Sequence, residues 1–279
     1  MTPDTLRARL NIIKQHDYAT SEETPRLTAA MLAHLGHPDG ELRDELIYTT
    51  FVHWIDRGVY PTEELRALLH TVLDDAHLFL GLGEVESDSV FTRTFSVLLV
   101  PLILARHRQQ PLFSSPEVAE LQHTLTTYLE RERDLRGFVV GKGWAHAAAH
   151  TADALAAIAT CRELDASALH SLLELTRDTA STMLTPYTHG EDERLAGAAL
   201  QAFSRGVLEE SDVRAWLESF RERVQYVVEH PLPEGYWGFL NLKHFLRALY
   251  FSVKRAPEMP YRESILEQVE ELLAEFAKL

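Results

Sequence analysis

Residues 61–79, PTEELRALLHTVLDDAHLF, decide the fold class. Leu65, Leu68, Leu69, Val72, Ala76 and Phe79 recur at three- and four-residue intervals, the spacing of one helix face rather than the alternation of a strand. The preceding Pro61-Thr62-Glu63-Glu64 is helix-start chemistry, in which proline removes a first-turn donor and acids suit the positive end of the helix dipole. The combination recurs four times. Val118, Leu121, Leu125, Tyr128 and Leu129 follow Ser115-Pro116-Glu117, and Leu169, Leu172, Leu173, Thr176, Ala180 and Met183 follow Asp165-Ala166-Ser167. Val213, Trp216, Leu217, Phe220, Val224 and Val227 follow Ser211-Asp212, and Ile265, Val269, Leu272, Leu273 and Phe276 follow Pro260-Tyr261. Alternating β-branched runs are nearly absent, so the chain reads as all-α.

Working outward, each of these helices is preceded by another, beginning near Glu41, Asp88, Gly143, Glu191 and Trp237 and ending in basic residues such as Arg57, Arg106, Arg162, Arg205 and Lys254. The starts lie 47, 55, 48 and 46 residues apart, the period of two-helix HEAT or armadillo repeats. The expectation is an α-α superhelix, a HEAT/armadillo-like solenoid of about five helical hairpins over residues 39–279. Two amphipathic segments, Thr5 to His16 and Pro25 to Leu35, form an N-terminal helical cap within 1–38, and residues 1–279 make a single domain. An irregular bundle of the same helices is the alternative, because the five units do not align residue by residue.

Composition narrows the function classes. With 27 Lys+Arg against 42 Asp+Glu the formal net charge is -15, a field that repels polyanions and argues against nucleic acid as a partner. The longest apolar run, Ser96 to Ala105, is too short for a membrane span. The N-terminal stretch lacks an apolar core and a small-residue cleavage site. A cytoplasmic protein without membrane partners is expected. A single cysteine, Cys161, rules out an internal disulfide and a cysteine-built zinc site.

The links between hairpins carry the chemistry: GLGEVESDSVF, RERDLRGFVVGKGW, TPYTHGEDER and HPLPEGYWGF. In a solenoid these fall on one edge. Within GKGWAHAAAHTADAL, a helix starting near Gly143 would put His146, His150 and Asp153 on one polar stripe, a possible ligand set for a divalent metal such as zinc. The segment lacks the glutamate of the HExxH pattern, so a base would come from Glu191 or Glu193, with His189 nearby. The structural alternative has both histidines hydrogen-bonding to carboxylates or backbone and Asp153 paired with an arginine. Glu130 to Gly137 reads first as a solvated helix end with local ion pairs. Its functional alternative has Asp134, Arg136 and Lys142 holding an anionic or polar ligand, with Gly141 and Gly143 allowing close approach. Trp144, Trp237 and Phe91 occupy equivalent hairpin starts and suit packing between repeats, or ligand stacking. Asn241, Lys243, His244 and Arg247 follow Trp237 as a polar row.

The segments DSVFTRTFS, ERDLRGFVVGKGWAHAAAHTADAL, GEDERLAGAAL and GFLNLKHFLRALYF resemble the bacterial family of uncharacterised proteins known as DUF2785, over about Glu41 to Tyr250. The resemblance implies an all-helical, armadillo-like chain and supplies no reaction. It would place Arg136, Gly137, Gly143, Trp144, His146, His150 and Asp153 at the family's signature positions.

Two functions compete at this level. One is a binding or scaffold module for a peptide, a protein or a small polar ligand. The other is a metal-dependent hydrolase using His146, His150 and Asp153 with Glu191 or Glu193 as base. A closed α/α barrel acting on a glycan ranks third.

Overall fold

The computed structural model describes residues 1–279. The chain is all-α apart from one small β-hairpin. Helix α1 spans Pro3–Gln15 and α2 Thr24–Ala33; a π-helical segment, Glu41–Tyr48, runs into α3, Thr49–Asp56. Then come α4 (Thr62–Val72), α5 (Ser89–Gln109) and α6 (Ser115–Arg131). Strands β1 (Phe138–Val139) and β2 (Gly143–Trp144) precede α7 (Ala147–Ala159) and α8 (Ala166–Ala180). The chain closes with α9 (Glu191–Ser204), α10 (Glu210–Glu218), α11 (Phe220–Val228), α12 (Glu234–Lys254) and α13 (Arg262–Phe276).

All but one of the expected helix starts agree with these to within three residues. Three local departures have physical causes. The apolar stripe of residues 61–79 outruns its helix, because the Asp74 carboxylate accepts the Ala76 amide and the His77 ring nitrogen, each at 2.8 Å, and turns the chain after Val72. The helix expected over Val213 to Val227 breaks at Ser219, whose hydroxyl donates to Trp216 O at 2.6 Å and accepts from Arg177 at 2.8 Å. The exceptional start is Gly143, where Phe138 pairs with Trp144 and Val139 with Gly143 in an antiparallel ladder, delaying α7 to Ala147.

The chain divides into two compact units, Met1–Phe113 with Glu130–His150, and Ser114–Leu129 with Thr151–Leu279. In the first, α3 packs on α5 and on the π-helical segment, which also receives α1, and α4 packs on α5. Trp54 is fully buried there and its indole N–H donates to Tyr18 O at 3.0 Å, so burial leaves no donor unpaired. Helix α5 is the one helix long and apolar enough to cross a membrane, yet 67% of its most apolar window is buried inside the protein. It is a core helix.

In the second unit α9 lies along α12 and also packs on α8, and its buried Ala196, Ala199 and Ala202 add little bulk to the helix. The two run in the same direction, since Asn241 near the start of α12 bonds to Tyr187 just before α9, and Ser204 at the end of α9 reaches Met259 beyond α12. Helix α8 packs on α9 and α10, and α10 and α12 on α13. Trp216 ties this together: its N–H donates to Leu173 O at 2.9 Å, and its ring meets Phe203 and Phe220 edge-on at 5.6 and 4.9 Å. Arg205, expected to serve its own helix end, instead donates to Ala159 O at 2.9 Å and to Cys161 O, satisfying carbonyls at the end of α7.

Candidate functional site

His146 is not on a helix, contrary to the single polar stripe expected of it. The ladder continues past the strands, with Ala145 N donating to Gly137 O at 2.9 Å and His146 N to Arg136 O at 2.8 Å. His146 then takes φ +60, a left-handed conformation that costs an L residue about 1–2 kcal/mol, and its carbonyl accepts the first helical amide, from His150. Its ring stacks on Trp144 at 4.7 Å and meets His150 at 5.6 Å, while His150 meets Phe95 edge-on at 5.4 Å and lies 3.3 Å from Thr94 O. Both rings are buried, each only 7% exposed, so they do not form an outward stripe. Asp153 is ion-paired with Arg194 of α9. The two histidines are brought together, and the Asp153 carboxylate is engaged by Arg194.

The solvated reading of Glu130 to Gly137 holds for the exposed Glu130, Arg131 and Arg133 and fails at Glu132 and Asp134, which are buried. Glu132 and Arg93 have side chains that are 0% exposed and form a two-point pair, Nε to Oε2 at 2.6 Å and Nη2 to Oε1 at 2.9 Å. Arg93 also donates to Leu80 O at 2.9 Å and to the Ser89 hydroxyl at 2.8 Å, and Glu132 Oε1 accepts the amides of Arg133 and Asp134. Asp134, also buried, chelates Arg136, whose guanidinium donates to Ser87 O at 3.0 Å, and Lys142 pairs with Asp88 at 2.6 Å. Asp134, Arg136 and Lys142 are thus partnered within the protein rather than held open for a ligand. Together these pairs latch residues 80–89 to 132–142, two of the links expected to be neighbours.

The close approach at Gly143 is made by the protein itself. Arg43, fully buried, donates to Lys142 O at 2.7 Å, Trp144 O at 3.1 Å and His37 O at 2.6 Å, and its guanidinium lies over Phe91 and Phe95 at 4.2 and 4.8 Å. Burial lowers its pKa to about 10, so it stays charged at neutral pH. A Cβ on Gly143, whose φ is +84, would sit 3.1 Å from this guanidinium.

The remaining expected site residues lie in the second unit. Asn241 is 1% exposed, and its amide oxygen accepts the Tyr187 N–H at 2.8 Å while its amide nitrogen donates to Thr182 O and Thr185 O, both at 2.9 Å. It anchors the loop that leads into α9 and offers nothing to a ligand. Asn241→Leu should lower stability by about 2–4 kcal/mol, since a buried amide and two carbonyls lose their partner; urea unfolding checks it, and a loss under 1 kcal/mol would remove this role. The Glu191 carboxylate is buried and accepts the His189 amide at 2.8 Å, which leaves it poorly placed as a base. The His189 ring lies beside Thr188 at 3.0 Å and Trp237 is half-buried in the first turn of α12.

Glu193 belongs to a different arrangement. A groove of about 480 Å³ is lined by Asp192, Glu193 and Arg194 from the first turn of α9 and by one face of α12. That face is His244, Arg247, Ala248, Phe251 and Arg255, at helical offsets of 3, 4, 7 and 11 residues that align them on one stripe. The expected polar row is therefore divided: His244 and Arg247 face the groove, Asn241 is inside, and Lys243 lies over the Phe239 ring at 4.9 Å. No ion pair engages Asp192, Glu193, Arg247 or Arg255, whereas Arg194 is held by Asp153. The signal for this groove was present in the i, i+3, i+7, i+11 recurrence, but nothing in the sequence says which stripe of a polar helix meets a neighbour.

The family described as protein of unknown function DUF2785 matches residues 78–251, well over half of the 279. The chain belongs to DUF2785. The match begins later than the resemblance near Glu41, leaving Arg43 outside it while including the Arg93–Glu132 pair and both histidines. Of the groove, the DUF2785 match takes in α9 and all of the α12 stripe except Arg255. No match was found among curated proteins or solved structures.

Proposed function

We propose that this DUF2785 protein is a binding module of HEAT or armadillo kind whose α9/α12 groove holds a small polar ligand. The repeat reading is supported by the packing order in the second unit: α9 lies on α12, α8 on α10 and α10 on α13, like helices of successive hairpins stacked on like. The observation that carries the binding reading is the groove itself, where charged side chains of both signs surround one cavity and four of them have no protein partner. Its volume lies within the range of roughly 300–1,000 Å³ common to small-molecule sites.

Ala248 lies on the α12 stripe, and Ala248→Trp should fill the cavity while preserving helix propensity well enough to fold. A thermal-shift comparison over amino acids, sugars, carboxylates and phosphorylated metabolites is expected to find compounds that stabilise the wild type and not the variant. At a hundredfold excess over Kd the stabilisation is about 2.7 kcal/mol, a shift of roughly 5 °C. Equal shifts in both proteins, or none in the wild type, would defeat the proposal.

A further inference from the structure

The distribution of charge in the α9/α12 groove, we infer, selects a zwitterion: a molecule with an ammonium at one end and a carboxylate at the other, either an amino acid or a short peptide with free termini. This rests on the groove being a binding site. Asp192 and Glu193 sit in the first turn of α9, and because α9 and α12 run in parallel from Tyr187 and Asn241, these acids lie toward the His244 end of the stripe. Arg247 and Arg255 follow along α12, the latter at its C-cap. Acids and arginines line the same cavity, yet no acid of the groove is within ion-pair distance of either arginine.

A simple anion would meet Arg247 and Arg255 beside two carboxylates, and a simple cation would meet the carboxylates beside the arginines. A ligand carrying both charges in that order offers each set its complement, with arginine taking the carboxylate through two parallel donors. Between the charged ends Ala248 and the half-exposed Phe251 present an apolar strip for the body of the ligand. The helix rise gives the length scale. His244 to Arg247 is about 4.5 Å and His244 to Arg255 about 16 Å along the axis, while an extended peptide gains about 3.3–3.6 Å per residue. A free amino acid bridges the acids to Arg247; a tetrapeptide spans about 13–14 Å, and the long Arg255 side chain covers the remaining distance.

The test is isothermal titration at low ionic strength with alanine, tri-alanine and tetra-alanine, and with tetra-alanine that is either N-acetylated or C-amidated. A probe with free termini is expected to bind about tenfold tighter than either capped form, the value of one charge-assisted contact. Tightest binding by alanine assigns an amino acid, and tightest binding by tetra-alanine a peptide. In the Asp192→Asn/Glu193→Gln variant the penalty for acetylation should vanish while that for amidation remains; Arg247→Gln/Arg255→Gln should do the reverse. Capped probes that bind as tightly as free ones overturn the inference. So does failure of every probe to bind the wild type, and if compounds sensitive to Ala248→Trp still exist, the groove stands and only the zwitterion falls. Probes that bind Ala248→Trp as well as wild type overturn the groove with it.

Discussion

Arg93→Ala is expected to lower the free energy of unfolding by about 3–5 kcal/mol, because it leaves the Glu132 carboxylate buried without its cation. That is a large part of the roughly 5–15 kcal/mol typical of a folded protein. The loss is not only electrostatic. Arg93 also satisfies Leu80 O and Ser89, and Glu132 accepts the amides of Arg133 and Asp134, so both links of the latch depend on the pair. Arg93→Met with Glu132→Gln should recover more than half of the loss, since methionine fills the space and the glutamine oxygen still accepts those two amides. Urea unfolding measures both, and hydrogen exchange at residues 133 and 134 should accelerate in the single variant. A single-variant loss below 1 kcal/mol would show that the pair is not essential to this unit.

Gly36→Ala should destabilise by about 3 kcal/mol, at the upper end for an added methyl in a packed site. A Cβ there would lie 1.9 Å from Thr92 Oγ1 and 2.5 Å from both Thr92 Cα and Thr92 N. Two of the three close atoms are backbone of α5, which cannot rotate aside, so the turn after α2 must retreat from that helix. Thr92→Gly in the same chain removes the Thr92 side chain but leaves its backbone N and Cα in place, so it should rescue only part of the loss. Thermal or urea unfolding of the single and double variants decides this; a single variant within 1 kcal/mol of wild type would mean that the turn moves freely.

The helices were legible because their period is a local property. Pro61 to Val72 repeats at the helical interval whatever it packs on, and capping chemistry at Asp165, whose side chain accepts the Ala168 amide at 2.9 Å, involves residues three apart. The misreadings share a different character. Glu132 sits in the charged run ERERD, residues 130–134, of a kind that usually faces water, and its burial depends on an arginine 39 positions earlier in the chain. His146 has an ordinary sequence context, yet the hairpin before it, anchored by Arg43 about a hundred positions away, holds it at φ +60. Asn241 reads in sequence as part of a polar row after Trp237, whereas its three hydrogen bonds to residues 182–187 place it inside.

By itself, the sequence determined the all-α class, the succession of helices and most of their starts, along with membership of DUF2785, since each depends on neighbours within a few turns or on the residues as written. Only the tertiary structure decided which charges are paired inside and which are left facing a cavity. Arg93 and Arg247 look alike in sequence, each on a long helix amid apolar residues. One is buried against a carboxylate from a distant link and the other lines a groove opposite Glu193, because the cost of burying a charge is met or not met by groups that only folding brings near.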